Sequence, residues 1–187
     1  MRSTCQGYWT GRVWKTDGDP MRALLAALVL SAIFSCSQQQ SSVSSVGDSI
    51  YDSAGVLNTQ QRDSISGLIK NLRDSIGSQM AVIIIESLRG REINSYSMQQ
   101  AEKFRFGREG YDDGILVTVA MADRQMRIEV GIGLELIIKD EIASRIIRNV
   151  VAPKFRAGRF GLGIYKGLDS IRFLIERDRQ LVGKPPR

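Results

Sequence analysis

The sequence predicts an α/β fold, a three-layer α/β/α sandwich built around a small mixed sheet. Two observations lead to this prediction. Apolar runs rich in β-branched residues, typical of fully buried strands, occupy residues 79–86 and 114–121. Segments whose apolar residues recur at helical spacing lie before, between and after these runs. Strands and helices that alternate in this way build a sheet with helices packed on it.

The predicted elements follow in the order α-β-α-β-β-α-α. They span residues 58–76, 79–86, 94–106, 114–121, 126–130, 140–150 and 163–177. Asn58 or Thr59 can cap the first helix, Gly77 ends it, and Pro153 is expected to break the helix that begins at Asp140.

The connections between the strands predict how they pair. A helix links the first strand to the second, so these two are expected to be parallel. A short turn at residues 122–125 links the second strand to the third, so these two are expected to form an antiparallel hairpin.

Composition excludes several kinds of chemistry. The 187 residues contain no histidine, which excludes histidine acid–base catalysis and sites for zinc or haem that need histidine. The two cysteines, Cys5 and Cys36, lie near the N-terminus and offer the folded part neither a disulfide nor a thiolate metal site. Chemistry must therefore rest on carboxylates, Lys, Arg, hydroxyls or a cation bound by oxygen.

Residues 21–35 are predicted to be a lipoprotein signal peptide. Met21-Arg22 precedes the twelve apolar residues ALLAALVLSAIF, a run too short to span a bilayer but typical of a signal-peptide core. The run ends in Ile33-Phe34-Ser35-Cys36, which resembles a bacterial lipobox with Cys36 as the lipidated residue. The alternative is a buried cysteine in a short core helix. We expect a lipid-anchored protein of the bacterial cell envelope that faces the periplasm.

The rest of the chain divides around this segment. Residues 1–20 do not look like part of a signal peptide and are interpreted as a mis-called start or an extension. Residues 36–49 are expected to be the lipidated cysteine and a flexible tether, 50–180 the domain, and 181–187 a tail. Cleavage before Cys36 removes four basic and two acidic residues, so the net charge falls from +6 to +4.

Four carboxylates are predicted to lie at one end of the sheet. Asp112 and Asp113 precede the second strand, Glu135 follows the third, and Asp140 begins the next helix. An antiparallel hairpin places the start of one strand beside the end of the next. Close carboxylates repel each other unless a cation lies between them, and oxygen ligands favour Ca²⁺ or Mg²⁺. The sequence therefore predicts a cation site.

Each part of this cluster also has a structural interpretation. Asp112-Asp113-Gly114 can be turn chemistry alone, and Asp140 can be a helix cap. Gly131 and Gly133 can serve only to allow a tight exit from the strand. The run GIGLEL, residues 131–136, is not a dinucleotide fingerprint, so no nucleotide cofactor is expected.

The C-terminal part of the chain is basic. Residues 141–187 contain eleven Lys and Arg against four Asp and Glu. The cations that could face phosphate or an anionic membrane are Arg145, Arg148, Lys154, Arg156 and Arg159. The alternative is an ordinary solvated helix face. Aromatic residues are not interleaved with these cations, so no nucleic acid partner is expected.

Several ordered motifs resemble the TPM domain family. They are YDSAGVL at 51–57, GREGYDDGIL at 107–116, RIEVGIGLE at 127–135, Asp140, and PKFRAG at 153–158. The resemblance covers residues 50–178, and the family includes a thylakoid-lumen acid phosphatase, photosystem II repair proteins and a receptor accessory protein.

The resemblance implies an α/β/α sandwich, calcium binding and phosphatase activity. By motif position, it implies a metal site formed by Asp52, Asp112, Asp113, Glu135 and Asp140. Asp113 stands where many relatives have Asn, which changes the charge but keeps an oxygen ligand. No haem, zinc or quinone is expected.

Two functions are consistent with these residues. The favoured one is a non-catalytic accessory module for the assembly or repair of a membrane-protein partner, attached to the lipid bilayer through Cys36. The alternative is a metal-dependent acid phosphatase acting on phosphomonoesters. In that case Asp112 and Asp113 would hold the cation, and an arginine such as Arg127 or Arg156 would offset charge in the transition state.

Overall fold

The computed structural model describes residues 3–8 and 49–184, and it contains a five-stranded mixed sheet in the order β1-β5-β4-β3-β2. The strands are β1 (Ser3–Tyr8), β2 (Ile50–Asp52), β3 (Gln79–Ile85), β4 (Gly114–Ala120) and β5 (Gln125–Val130). The helices are α1 (Thr59–Ile76), α2 (Ile93–Phe104), α3 (Asp140–Ile146), α4 (Ala152–Arg156) and α5 (Phe160–Arg177). The predicted signal peptide and Cys36 lie outside the described residues.

The strand pairings confirm both predicted connections. β3 and β4 are parallel, with Gln79 opposite Gly114, and β4 and β5 form the antiparallel hairpin, with Ile115 opposite Val130. The sequence did not predict β2, which is parallel to β3, because three residues are too few for a periodic signal. The backbone of β1 pairs antiparallel with the outer edge of β5.

Helices cover both faces of the sheet, which confirms the α/β/α sandwich. Buried residues of α1, α3, α4 and α5 pack in one core with Met126, Ile128 and Val130 of β5. Buried residues of α2 form a second, smaller core with alternate residues of β3, including Ala81 and Ile83. The alternation along each strand decides which side chains reach which core.

Helix α1 begins and ends where its sequence predicts. Asn58 accepts a hydrogen bond from the Gln61 N–H at 2.9 Å, and the Gln61 side chain accepts one from the Asn58 N–H at 3.1 Å. This reciprocal capping box satisfies two backbone donors that the first turn leaves unpaired. Gly77 ends the helix with a φ of 95°, a conformation that favours glycine.

The prediction that Pro153 breaks a helix was wrong. The helical backbone is continuous from α3 through a π-helical turn, Ile147–Val151, into α4. Pro153 lies in the first turn of α4. The Ala152 N–H bonds to the Ile147 carbonyl, five residues back. This wider turn relieves the clash that a proline ring causes in a regular helix. Helix α5 then begins at Phe160, earlier than the predicted residue 163.

Among the described residues, no helix combines the length and apolarity needed to cross a bilayer.

Candidate functional site

Two turns meet at the open end of the β4–β5 hairpin, where β4 begins and β5 ends. We call residues 107–114 the aspartate turn and residues 131–135 the glycine turn. The Gly131 N–H bonds to the Gly114 carbonyl at 2.8 Å, and the Gly133 N–H bonds to the Asp112 carbonyl at 3.1 Å. A Cβ atom on either Gly131 or Gly133 would collide with a carbonyl oxygen of the aspartate turn. The two glycines therefore allow the tight strand exit that the sequence suggested.

Asp113 is fully buried, and hydrogen-bond donors surround its carboxylate. One oxygen accepts the backbone N–H of Arg108 at 2.8 Å. The other accepts Arg108 Nε at 2.9 Å, Arg108 Nη2 at 2.7 Å and the Ser78 hydroxyl at 3.1 Å. The Asp113 carbonyl also accepts the Gln79 N–H at 3.2 Å. Asp113 thus fastens the aspartate turn to the start of β3.

Asp112 has the opposite environment, since it is exposed. Its φ of 47° lies in the left-handed region, which Asp tolerates better than most residues. The neighbouring Tyr111 is 49% exposed, and its ring lies 4.1 Å from the Arg108 guanidinium carbon. Ile132, on the glycine turn, is 37% exposed. We call Tyr111, Asp112 and Ile132 the loop-end surface.

Asp52 lies apart from the aspartate turn. Its carboxylate accepts the Val56 N–H at 3.2 Å and the Leu57 N–H at 2.9 Å, so it holds the loop that leads into α1. Asp52 is opposite Ile84, five residues along β3 from Gln79, which borders the aspartate turn. At about 3.3 Å per residue, the separation along the sheet is roughly 17 Å.

Glu135 and Asp140 are half-buried; Glu135 is the last residue of the glycine turn, and Asp140 is the first residue of α3. Within residues 49–184, no three acidic side chains are grouped closely enough to hold a metal ion. The hairpin therefore brings the two turns together as predicted, but the carboxylates do not form a group. Because the Asp113 carboxylate already accepts hydrogen bonds from Arg108 and Ser78, and Asp52 is distant, the predicted ligands do not fit one calcium or magnesium site. We therefore derive no chemical step that uses a metal.

Arg127 also lies apart from the aspartate turn, within a buried polar cluster under α2. It forms an ion pair with Glu129 on the same strand, and it donates to the side chain of Asn94 on α2. Arg127 is opposite Thr118, four residues along β4 from Gly114, or about 13 Å along the strand.

Sequence reasoning missed this cluster because it considered Arg127 only as a group that could offset charge in a phosphatase site. Thr118 of β4 and Ser97 of α2 belong to it, with their hydroxyl oxygens 2.8 Å apart. The available signal was the pair Asn94 and Ser97, two polar residues three apart in a helix that must cover this face.

The fold is that of a small α/β/α domain, and solved structures share it. The N-terminal domain of a protein from P. gingivalis has a TM-score of 0.67 and 25% identity, covering 72% of this chain and 85% of that one. The BA42 protein from the psychrophilic bacterium Bizionia argentinensis has a TM-score of 0.56 and 17% identity, covering 65% of this chain and 82% of that one. The N-terminal domain of the cg2496 protein from Corynebacterium glutamicum has a TM-score of 0.52 and 13% identity, covering 86% of this chain and 91% of that one.

The sequence profile of the TPM domain matches residues 50–173. The chain therefore belongs to the TPM domain family. No curated protein matches it.

Proposed function

We propose that this chain is a lipid-anchored accessory protein of the bacterial cell envelope whose TPM domain binds a membrane protein and does not turn over a substrate. One observation carries the proposal. Two of the candidate residues for a phosphatase mechanism, Asp113 and Arg127, are held in ion pairs inside the domain. At the joined turns, the side chains of the loop-end surface are exposed, and so is that of Glu109.

The phosphatase alternative has less support for a geometric reason. A nucleophile, a base and a charge-stabilising group must lie within hydrogen-bond reach of one reacting atom. The Asp113 carboxylate already accepts from Arg108 and Ser78, and Arg127 lies about 13 Å along the sheet from the aspartate turn. Asp112 alone does not supply the three roles.

The loop-end surface has the composition of a protein contact. Tyr111 and Ile132 are exposed on the two joined turns together with Asp112, and aromatic residues are enriched in the centres of protein interfaces. The surface fits a partner segment with apolar side chains and one cation. An anchor at Cys36 would hold the domain beside a bilayer, so the partner that we propose is a membrane protein.

Site-specific photo-crosslinking tests the proposal. A benzophenone amino acid is placed at Tyr111 in the full chain, in cells, and the matched control carries it at Phe173, which is 59% exposed on α5. We expect one membrane protein to be crosslinked from position 111 and not from position 173. The charge reversal Asp112→Lys, added to the position 111 protein, should abolish the product. Equal products from both positions would contradict the proposal.

The phosphatase alternative is tested on the same protein. We expect hydrolysis of p-nitrophenyl phosphate by the purified chain to be at background level and to be the same for Asp112→Asn. Turnover above background that Asp112→Asn removes would overturn the accessory function and establish an enzyme.

A further inference from the structure

We infer that the outer side of the helical segment 140–156, together with Arg159, the residue before α5, is a docking surface for the anionic headgroups of a phospholipid membrane. We call this surface the arginine face. It consists of Arg145, Arg148, Arg156 and Arg159.

Burial divides the helical segment into two sides. The inner side packs in the core through Ala143, Ile146, Ile147, Val151 and Phe155. The arginines of the segment are all exposed, so they lie on the side that faces solvent. Arg159 is exposed as well, and its backbone N–H bonds to the Lys154 carbonyl at 2.9 Å, which keeps it beside the end of α4.

Cations are in excess around the arginine face. Residues 142–168 contain six Lys and Arg and no Asp or Glu. Within residues 49–184, no ion pair engages any arginine of the arginine face.

The end of α5 shows the contrasting arrangement. Arg172 lies 2.8 Å from Asp169 and 2.6 Å from Glu176. The hydrogen bond that Arg172 donates to Asp169, followed by the one that it donates to Glu176, raises the pKa of Arg172. Carboxylates thus accompany the cations on α5 after residue 168, whereas the helical segment 140–156 has them only at its start, at Asp140 and Glu141.

Charge complementarity identifies the occupant as a surface of phosphate esters. Guanidinium groups bind phosphate through two parallel hydrogen bonds, and each cation near an anionic membrane raises the partition by about fivefold. The setting depends on the proposed anchor at Cys36, which would keep the domain next to such a surface. The binding itself does not depend on the anchor, so the two can be tested separately.

Vesicle binding by the chain from residue 37 to 187, which lacks the anchor, is the test. The family profile begins at residue 50, and related N-terminal domains were solved alone in solution, so this part is expected to fold. Partition is measured on vesicles of phosphatidylcholine with and without phosphatidylglycerol, at about 0.05 M and about 0.5 M salt. We expect binding only to the anionic vesicles at low salt.

Two variants with the same loss of charge separate the arginine face from net charge. The first removes the arginine face: Arg145→Gln, Arg148→Gln, Arg156→Gln and Arg159→Gln. The control removes exposed cations elsewhere: Lys70→Gln, Arg73→Gln, Lys103→Gln and Arg179→Gln. We expect the first to lower the partition by about tenfold or more and the control to lower it by less than about threefold. Circular dichroism verifies that both variants fold.

Three results would overturn the inference. They are no binding to anionic vesicles, equal losses in the two variants, and displacement by inorganic phosphate at low millimolar concentration. The last would indicate a site for a single ion. The tested chain lacks Cys36, so all of these measurements would be unchanged if Cys36 were not lipidated.

Discussion

Two adjacent aspartates have opposite roles in the aspartate turn. Asp112 is exposed, and its carbonyl joins the glycine turn, whereas Asp113 is buried under Arg108 and Ser78. Asp113, one of the predicted metal ligands, is therefore an internal counter-ion. Removing one member of a buried ion pair is costly, because the other charge stays without its partner.

We predict that Asp113→Asn destabilises the domain in the absence of any metal. Arg108 is 34% exposed, so solvent screens part of the loss and we expect about 2–3 kcal/mol. For a domain of this size, that lowers the melting temperature by about 6–10 °C. Thermal unfolding followed by circular dichroism, in EDTA and in calcium, measures the change.

Asp112→Asn is the matched control, and we expect it to shift the melting temperature by less than about 2 °C because this side chain is exposed. If Asp113 were a calcium ligand, its substitution would lower stability in calcium and leave stability in EDTA unchanged. That pattern would contradict the role assigned here.

At the scale of the element, α5 approaches its neighbours through glycines. A Cβ on Gly163 would lie 2.7 Å from Cδ1 of Phe155, and one on Gly167 would lie 2.8 Å from Cγ2 of Val151. Both distances are shorter than real side chains allow. The spacing of four residues places the two glycines on one face of α5, where they allow it to pack closely on the π-helical turn and α4.

We predict that alanine has opposite effects at two helical glycines. Gly163→Ala should lower the free energy of unfolding by about 1–2 kcal/mol, because the new methyl group strains a packed core. Gly67→Ala on α1 should raise it by about 0.5–1 kcal/mol, since nothing lies within 4 Å and alanine favours helix. Urea unfolding of the two variants measures both values, and destabilisation of equal size at the two positions would contradict the packing argument.

The elements that could be predicted from sequence are those with local causes. The capping box at Asn58 determines the start of α1, and the β-branched runs determine β3 and β4. The continuation of the helix through Pro153 could not be predicted, because it depends on a π-helical turn whose buried residues are held by tertiary packing.

The same distinction applies to the candidate site. The approach of the two turns follows from the hairpin and was predicted. The environment of the Asp113 carboxylate was not predicted, because it depends on how the Arg108 side chain folds over the aspartate turn. Periodicity carries no information about such a contact.

At the scale of the whole molecule, the proposed maturation changes one edge of the sheet. Cleavage before Cys36 would remove β1, which pairs with the outer edge of β5 in this structure. The Gly131 N–H bonds to Gly114 of β4, so in an antiparallel ladder the amides of Glu129 and Arg127 also point to β4. The amides of the intervening residues, Ile128 and Val130, then point to the outer edge.

We predict that the mature protein starts at a lipidated Cys36 and exposes this edge. Labelling of cells with an alkyne fatty acid should mark the wild-type chain and Cys5→Ser, and it should not mark Cys36→Ser. Hydrogen exchange of the mature protein should be fast at the amides of Ile128 and Val130 and slow at those of Arg127 and Glu129.

A label that persists in Cys36→Ser would contradict the maturation. Slow exchange at the amides of Ile128 and Val130 in a chain that has lost β1 would mean that another strand covers the edge of β5. Open strand edges recruit new partners through backbone hydrogen bonds, so that strand would have to come from a second protein chain or a second copy.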